Sequence, residues 1–314
     1  MRTAEPDHMT ARSSEWLNVT SYLLPTRVVT SAWLEHAPFA FWIVNALRPS
    51  SIVELGTHNG FSFFTWCEAL QLAGLSSSAY AIDTWVGDDQ AGFYDDVVYQ
   101  EVAGFASEHY PDTTHLLRGY FDDFVDEIPD RSVDLIHIDG RHGYEDIVHD
   151  FNNWLPKASE RGVILFHDIA ERGEGFGVWR FWEDVSVRFP SFAFEHGHGL
   201  GVLAVGANVP TAVLSFLDAA ARQPEVVRSV YAGLGARVTR QAQLLEAEAE
   251  RDMISARLVE AEADLAAVGR DIQRLTDEQA ALKDSTSWKA TAPLRAITGR
   301  FRRSRGRGAT RETG

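Results

Sequence analysis

The sequence predicts an open, doubly wound α/β sheet, mostly parallel with an antiparallel last strand, followed by a C-terminal helical coiled coil. Short apolar runs recur along the first two thirds of the chain, each closing on a carboxylate or a glycine. Stretches of helical period separate them, so strand and helix alternate as they do in βαβ units. Beyond Gly206 the apolar residues change to a seven-residue period, which a packed sheet has no use for.

The elements follow in order. Residues 33–47 are rich in apolar and aromatic side chains but carry Glu35 and His36; the stretch is too short and too polar to span a membrane and reads as a helix packed on the sheet. Next comes SIVELGTHNGFS, residues 51–62, whose apolar run ends at Glu54 and breaks into Gly56-Thr57-His58-Asn59-Gly60 before a helical pattern over 61–73. A strand feeding a helix through a glycine-bearing loop is a cofactor cradle. The dinucleotide fingerprint would also require glycine at His58 and Phe61, so the spacing argues against a pyrophosphate ligand. A second run, 80–83, closes on Asp83, where an acid can take both hydroxyls of a ribose. Residues 114–119, 133–140 and 162–169 read as the third to fifth strands, nearly continuous in apolar residues as buried parallel strands are. A helix is expected over 144–155, and 194–206, with Gly197, Gly199 and Gly201, reads as a closing hairpin.

Composition narrows the function. The 314 residues carry a formal net charge of −16, which disfavours nucleic acid as a partner. Cys67 is the single cysteine and lies in a helical pattern; neither a disulfide nor a cysteine metal site can be built, which suits a reducing cytoplasm. The first residues lack the apolar core of a signal peptide. The expected division is an N-terminal segment 1–30, a catalytic domain 31–207, a linking helical segment 208–237, a coiled coil 238–284 and a basic tail 285–314, disordered toward its end. In the coiled coil Leu244, Leu258, Leu265 and Ile272 occupy position a, with Arg251 and Gln279 as polar exceptions, and Ala247, Ile254, Ala261, Val268, Leu275 and Leu282 occupy position d. Such a seam predicts a homo-oligomer. The tail sets eight Lys or Arg against the single acid Glu312, a charge reversal suited to a peripheral contact at the inner, anionic face of a membrane or to solubility alone.

Chemistry concentrates at the ends of the fourth and fifth strands, where open α/β sheets bind ligands. Asp139, from Ile138-Asp139-Gly140-Arg141-His142, and Asp168, from Phe166-His167-Asp168-Ile169, are expected to face one cleft. Two carboxylates there repel unless a divalent ion lies between them. Mg²⁺ or Mn²⁺ would lower the pKa of an acceptor hydroxyl, and His142, three residues after Asp139, has a pKa suited to removing its proton. Glycine after Asp139 also suits a plain strand-ending turn, and Asp168 a helix cap. His137 reads as a core residue, His167 as ligand or packing, and Glu145, Asp146 and Asp150 as a solvated helix face.

The combination VELGTHNGFS, AIDTW, DLIHIDGRHGYEDIVHDFNNWLP and GVILFHD, within residues 31–206, resembles the S-adenosylmethionine-dependent O-methyltransferases that include macrocin-type sugar O-methyltransferases and their cephalosporin-biosynthesis relatives. The resemblance implies a metal-assisted O-methyl transfer to a sugar hydroxyl of a glycan, with a small-molecule acceptor or a non-catalytic scaffold for glycosyltransferases as the alternatives. Asp139 and Asp168, with His167, would hold the metal, and His142 would act as the base. Glu54, Gly56, Thr57, His58, Asn59, Gly60, Ser62, Asp83 and Trp85 would form the cofactor site. Catechol O-methyltransferases carry a lysine where His142 stands and an asparagine where Ile169 stands. The sequence STSWKATAPLR after the coiled coil is similar to the ends of bacterial glycan-assembly glycosyltransferases and their companion methyltransferases, which points to a surface glycan and a glycosyltransferase partner.

Overall fold

A computed structural model describes residues 15–88 and 92–295. The segment 1–14 and the tail beyond 295, with most of its basic residues, lie outside the described residues. The chain divides into two compact units, 1–245 and 246–314.

The first unit is built on a seven-stranded sheet. Its strands are β1 (Ser51–Leu55), β2 (Ser78–Asp83), β3 (Thr114–Arg118), β4 (Val133–Ile138), β5 (Ala158–His167), β6 (Ser191–Phe194) and β7 (Leu200–Ala204). They lie in the order β3-β2-β1-β4-β5-β7-β6. The first five are parallel, and β7 pairs antiparallel with both β5 and β6. This is a Rossmann-like, doubly wound sheet with an antiparallel end. Strands β1 and β4 are buried along almost their whole length, because helices cover both faces of the sheet. On one face α1 (Ala37–Leu47) and α2 (Phe61–Leu72) pack through Phe39, Phe41, Trp42, Phe63 and Trp66; on the other, α4 (Tyr144–Trp154) and α5 (Val178–Ser186) pack through Phe151, Trp154, Phe181 and Trp182. Between β2 and β3 runs α3 (Asp96–His109), capped by the Asp95 side chain, which accepts from the Val97 amide.

Several boundaries differ from the sequence reading. Strand β5 starts at Ala158 rather than 162 because Ser159 Oγ donates to Asp134 Oδ1 at 2.6 Å, tying a polar stretch to β4 that no apolar pattern marks. The segment 208–237 is no linker. It holds α6 (Thr211–Arg222) and the start of α7 (Pro224–Asp284), whose Val213, Phe216, Leu217, Val227, Tyr231 and Val238 complete the core over α1. Residues 15–30 contribute to the same core: Trp16 is buried, and Tyr231 donates its hydroxyl to the Trp16 carbonyl at 2.8 Å. Cys67 is a buried free thiol.

In the second unit the remainder of α7 is exposed throughout. A short helix, α8 (Thr286–Ala290), follows, with Ser285 Oγ accepting from the Trp288 amide and the Arg295 guanidinium 3.8 Å from the Trp288 ring centroid. Among the described residues no helix is long and apolar enough to cross a membrane.

Candidate active site

Strand order reverses at β1, which has β2 on one side and β4 on the other. The loops after β1 and β4 diverge there and leave a crevice at the carboxyl ends of the strands, the place where doubly wound sheets hold ligands. A cavity of about 950 Å³ opens at this point.

Its floor is the loop after β1. Gly56 has φ +87°, and a Cβ there would sit 2.0 Å from the Asp139 carbonyl oxygen. Only glycine lets the two loops touch. Gly60 takes φ +78° and opens α2 with no side-chain cap, so the first-turn amides of that helix are available to an anionic group. Thr57, whose Oγ1 is buried without a partner, lines the cavity, as do Gly56, His58, Asn59 and Ser62. A bare glycine floor, an uncapped helix end and an orphaned hydroxyl fit the aminoacyl end of S-adenosylmethionine.

Asp83 also borders the cavity, but its carboxylate is committed to the protein. Oδ2 accepts from the Thr57 and His58 amides at 2.8 Å each, and Oδ1 accepts from the Trp85 amide at 2.7 Å. The expected pair of ribose contacts therefore competes with three backbone donors that fix the loop. Trp85 is wholly buried and donates Nε1–H to the His58 carbonyl at 3.0 Å; it braces the loop from beneath rather than lining the cavity. Glu54 is likewise turned inward. Its Oε2 accepts from Trp66 Nε1 at 3.0 Å and meets His137 Nδ1 at 2.9 Å, with both residues of the Glu54–His137 pair at 0% exposure. The sequence reading placed Glu54 and Trp85 in the cofactor site, yet each is core. Gly60 shapes the loop without lining the cavity.

At the other end Asp139 and Asp168 come together as expected. Donor atoms of Asp139, His142 and Asp168 lie within 4.8 Å of one another. His142 Nε2 is 2.8 Å from Asp168 Oδ2; His167 Nδ1 is 3.2 Å from Asp139 Oδ1 and 3.4 Å from Asp168 Oδ1. The far nitrogen of His167 must carry hydrogen, since Nε2 sits 3.0 Å from the Gly197 carbonyl oxygen, which can only accept. That leaves Nδ1 facing the carboxylates. Asp168 holds φ +62°, an uncommon backbone for a residue other than glycine and one that functional sites tend to retain. Phe176 stacks on the His142 ring at 4.8 Å, and the Gly177 amide donates to the His142 carbonyl at 2.7 Å.

The electrostatics are those of a closed charge cluster. Burial alone would depress His167, but Asp139 and Asp168 outweigh it and raise its pKa to about 10. The same contest raises His142, through Asp168. Burial pushes both carboxyls up, and the histidines overcome it, holding Asp139 and Asp168 below the ordinary carboxylate range. Two carboxylates that bind protonated histidines in this way also offer a divalent ion two oxygens and an adjacent imidazole, so the residues fit a metal.

Three contributors escaped the sequence reading. The segment before α1 bends over the cavity through Thr30, Ser31, Ala32 and Trp33; Asn59 Nδ2 donates to the Thr30 carbonyl at 3.2 Å and Arg27 Nη2 to the Asn59 carbonyl at 3.3 Å. His36, a helical turn later, meets the same Gly197 carbonyl as His167, at 2.8 Å. Asp150 is not on a solvated face: it is 7% exposed, lines the cavity, and its Oδ2 lies 3.4 Å from where a Cβ on Gly140 would stand. No local pattern marks the first two. For Asp150 the apolar period of α4, with Ile147, Phe151 and Trp154 inward, places it beside the buried stripe.

Residues 53–169, from within β1 to just past β5, match the family model described as a methyltransferase domain. The uncharacterized protein y4gI of Sinorhizobium fredii is 49% identical over 179 residues, 57% of this chain and 20% of the relative. The chain thus spans about a fifth of the length of the relative it matches. Among solved structures it is similar to the O-methyltransferase TomG of Streptomyces achromogenes, which is involved in tomaymycin synthesis (16% identity, 58% of this chain, 83% of that one, TM-score 0.43). It is also similar to an O-methyltransferase of Bacillus cereus (17% identity, 58% of this chain, 84% of that one, TM-score 0.42).

Proposed function

We propose that the class I methyltransferase domain of this chain transfers the methyl group of S-adenosylmethionine to a hydroxyl of a sugar or glycan, with a divalent metal at the Asp139–Asp168 pair. One observation carries the reading: a single cavity joins the bare glycine loop after β1 to the carboxylate and imidazole cluster after β4 and β5. The cofactor supplies an electrophilic methyl sulfonium, and a bound Mg²⁺ or Mn²⁺ would lower the pKa of the acceptor hydroxyl.

The chain's own groups do the rest. The loop Gly56–Gly60, held by Asp83, and the amino end of α2 receive the aminoacyl part of the cofactor. Asp139 and Asp168, with His167 Nδ1, would hold the metal. His142, steadied by Asp168 and stacked on Phe176, takes the hydroxyl proton once its own proton has been given up. The strap through Thr30–Trp33 limits water at the cofactor end. Around the acceptor end Asp122, Glu145, Asp146 and His149 border the cavity, a polar rim suited to a hydroxyl-rich acceptor more than to a flat aromatic one. A surface glycan, a glycosyltransferase partner and a membrane contact through the basic tail extend this proposal.

The test is cofactor calorimetry combined with methyl transfer from labelled S-adenosylmethionine into extracts of producing cells. Asp139→Asn and Asp168→Asn should abolish transfer while cofactor binding survives, and chelation should do the same reversibly. His142→Ala should lower turnover by roughly 10²- to 10⁴-fold. Cofactor binding without any labelled product would favour a scaffold, and no binding of S-adenosylmethionine or S-adenosylhomocysteine would end the reading.

A further inference from the structure

The part of α7 beyond residue 245 buries none of its apolar residues. Ile254, Leu258, Leu265, Val268, Ile272 and Leu275 are 54% to 73% exposed, and alternating steps of three and four residues place them on one stripe. A stripe of this length is not stable against water, because contiguous exposed apolar surface is what association removes.

Charge says what covers it. With Leu258 at a, the g row is Glu250, Arg257, Asp264, Asp271 and Glu278, four acids and one cation. An antiparallel partner of the same sequence would set this row against itself, with Glu250 on Glu278 and Asp264 on Asp264, and Arg257 alone meeting an acid, Asp271. A parallel partner in register sets each g residue against the e residue five positions on. Arg257 then meets Glu262, Glu278 meets Lys283, and the other three meet Ser255, Gly269 and Thr276, with no like charges opposed. The polar a residues agree. In register, Gln279 faces its own copy, amide to amide, and Arg251 also faces its own copy, with Glu250 of each chain beside the other's guanidinium to offset the two charges. An antiparallel arrangement centred on the seam would bury Arg251 against Leu275. Two strands also leave an a-position arginine room to reach water, which three or four strands would not.

We infer that residues 247–282 form a parallel, in-register, two-stranded coiled coil with the same residues of a second copy of the chain. Each dimer then carries two catalytic units and two copies of the basic C-terminal sequence. The inference does not depend on the proposed activity.

The test uses the full-length protein. Leu282→Cys, at position d, should form a disulfide-linked dimer under mild oxidation, and the buried Cys67 does not compete. In an antiparallel pair the two introduced thiols would stand roughly 57 Å apart, 38 residues at about 1.5 Å each. Sedimentation should show a dimer at micromolar concentration. Leu265→Asp/Ile272→Asp should dissociate it while near-ultraviolet circular dichroism of the catalytic unit stays unchanged. Glu278→Lys, which opposes Lys283, should weaken dimerisation by roughly three- to tenfold, and adding Lys283→Glu should restore it. A monomeric full-length chain, a larger oligomer, or a Leu282→Cys chain that links only to Leu244→Cys in a mixture would each overturn the parallel dimer.

Discussion

Asp150 is a buried carboxyl that its surroundings hold above the ordinary carboxylate range. It faces Gly140 and the cavity; His149 on its own helix favours the carboxylate, while Asp122 and Asp146 add negative charge nearby. Burial first, and those two acids after it, raise its pKa from the ordinary 3.8 to about 7. The folded state therefore holds a proton, between pH 4 and 7, that the unfolded chain has released. Stability from this group is fully present below pH 4 and is lost as pH rises through 7. Asp150→Asn keeps the shape and removes the charge. It should stabilise the protein by roughly 1 to 3 kcal/mol at pH 8 and by almost nothing at pH 3. Urea melts at the two pH values measure this, and an equal effect at both would show that the carboxyl is solvated in the folded state. At Gly56 the constraint is steric instead, since the positive φ and the 2.0 Å approach to Asp139 fix the residue type whatever the pH.

Strand β1 shows how an element can be legible in outline and misread in detail. Its apolar run, its glycine loop and the helix after it all stand in the sequence, because a parallel strand buried on both faces must be apolar throughout. Strands β2, β4 and β5 were legible for the same reason, and the alternation of strand with helix fixed the order of events along the chain. What the sequence cannot show is the direction of a carboxylate at a strand end. Glu54 and Asp83 both close apolar runs, and both looked like cofactor ligands. Strand pairing turns Glu54 inward, opposite His137 on β4, where it joins β1 to α2 through Trp66 and to β4 through His137. Asp139 and Asp168 were readable as a pair because adjacent parallel strands bring their carboxyl ends together. Glu54→Ala should leave the Trp66 indole and the His137 ring without their buried partner and cost roughly 3 to 5 kcal/mol. Chemical denaturation of the variant checks this. A loss below about 1 kcal/mol, the worth of an exposed pair, would mean that water replaces the carboxylate and that the element is not pinned there.

Over the whole molecule the least legible boundary is where the catalytic unit ends. Composition shifts after Gly206, and a Rossmann-like sheet is complete by Ala204, so the sequence reads 208–237 as a link. The structure makes it core. Val213, Phe216, Leu217, Val227, Tyr231 and Val238 are nearly or wholly buried over α1, and a helix with one apolar face looks the same in sequence whether that face meets its own domain or another copy. The distinction within α7 comes from where exposure begins, about a third of the way along it. At roughly 1.5 to 3 kcal/mol for each large apolar side chain buried, these six residues supply an amount on the order of the roughly 5 to 15 kcal/mol that separates a folded domain from its unfolded chain. A chain ending at Asn208 should therefore fail to fold, with no cooperative thermal transition and no binding of S-adenosylmethionine. A chain ending at Leu245 keeps every one of these contacts, including the Tyr231 hydroxyl on the Trp16 carbonyl. It should melt within about 4 °C of the full-length protein, the shift that 1 kcal/mol makes at this size, and should bind the cofactor equally well while losing self-association. Cooperative melting of the chain ending at Asn208 would show that α6 and the start of α7 are dispensable, and would return the segment to the role of a linker.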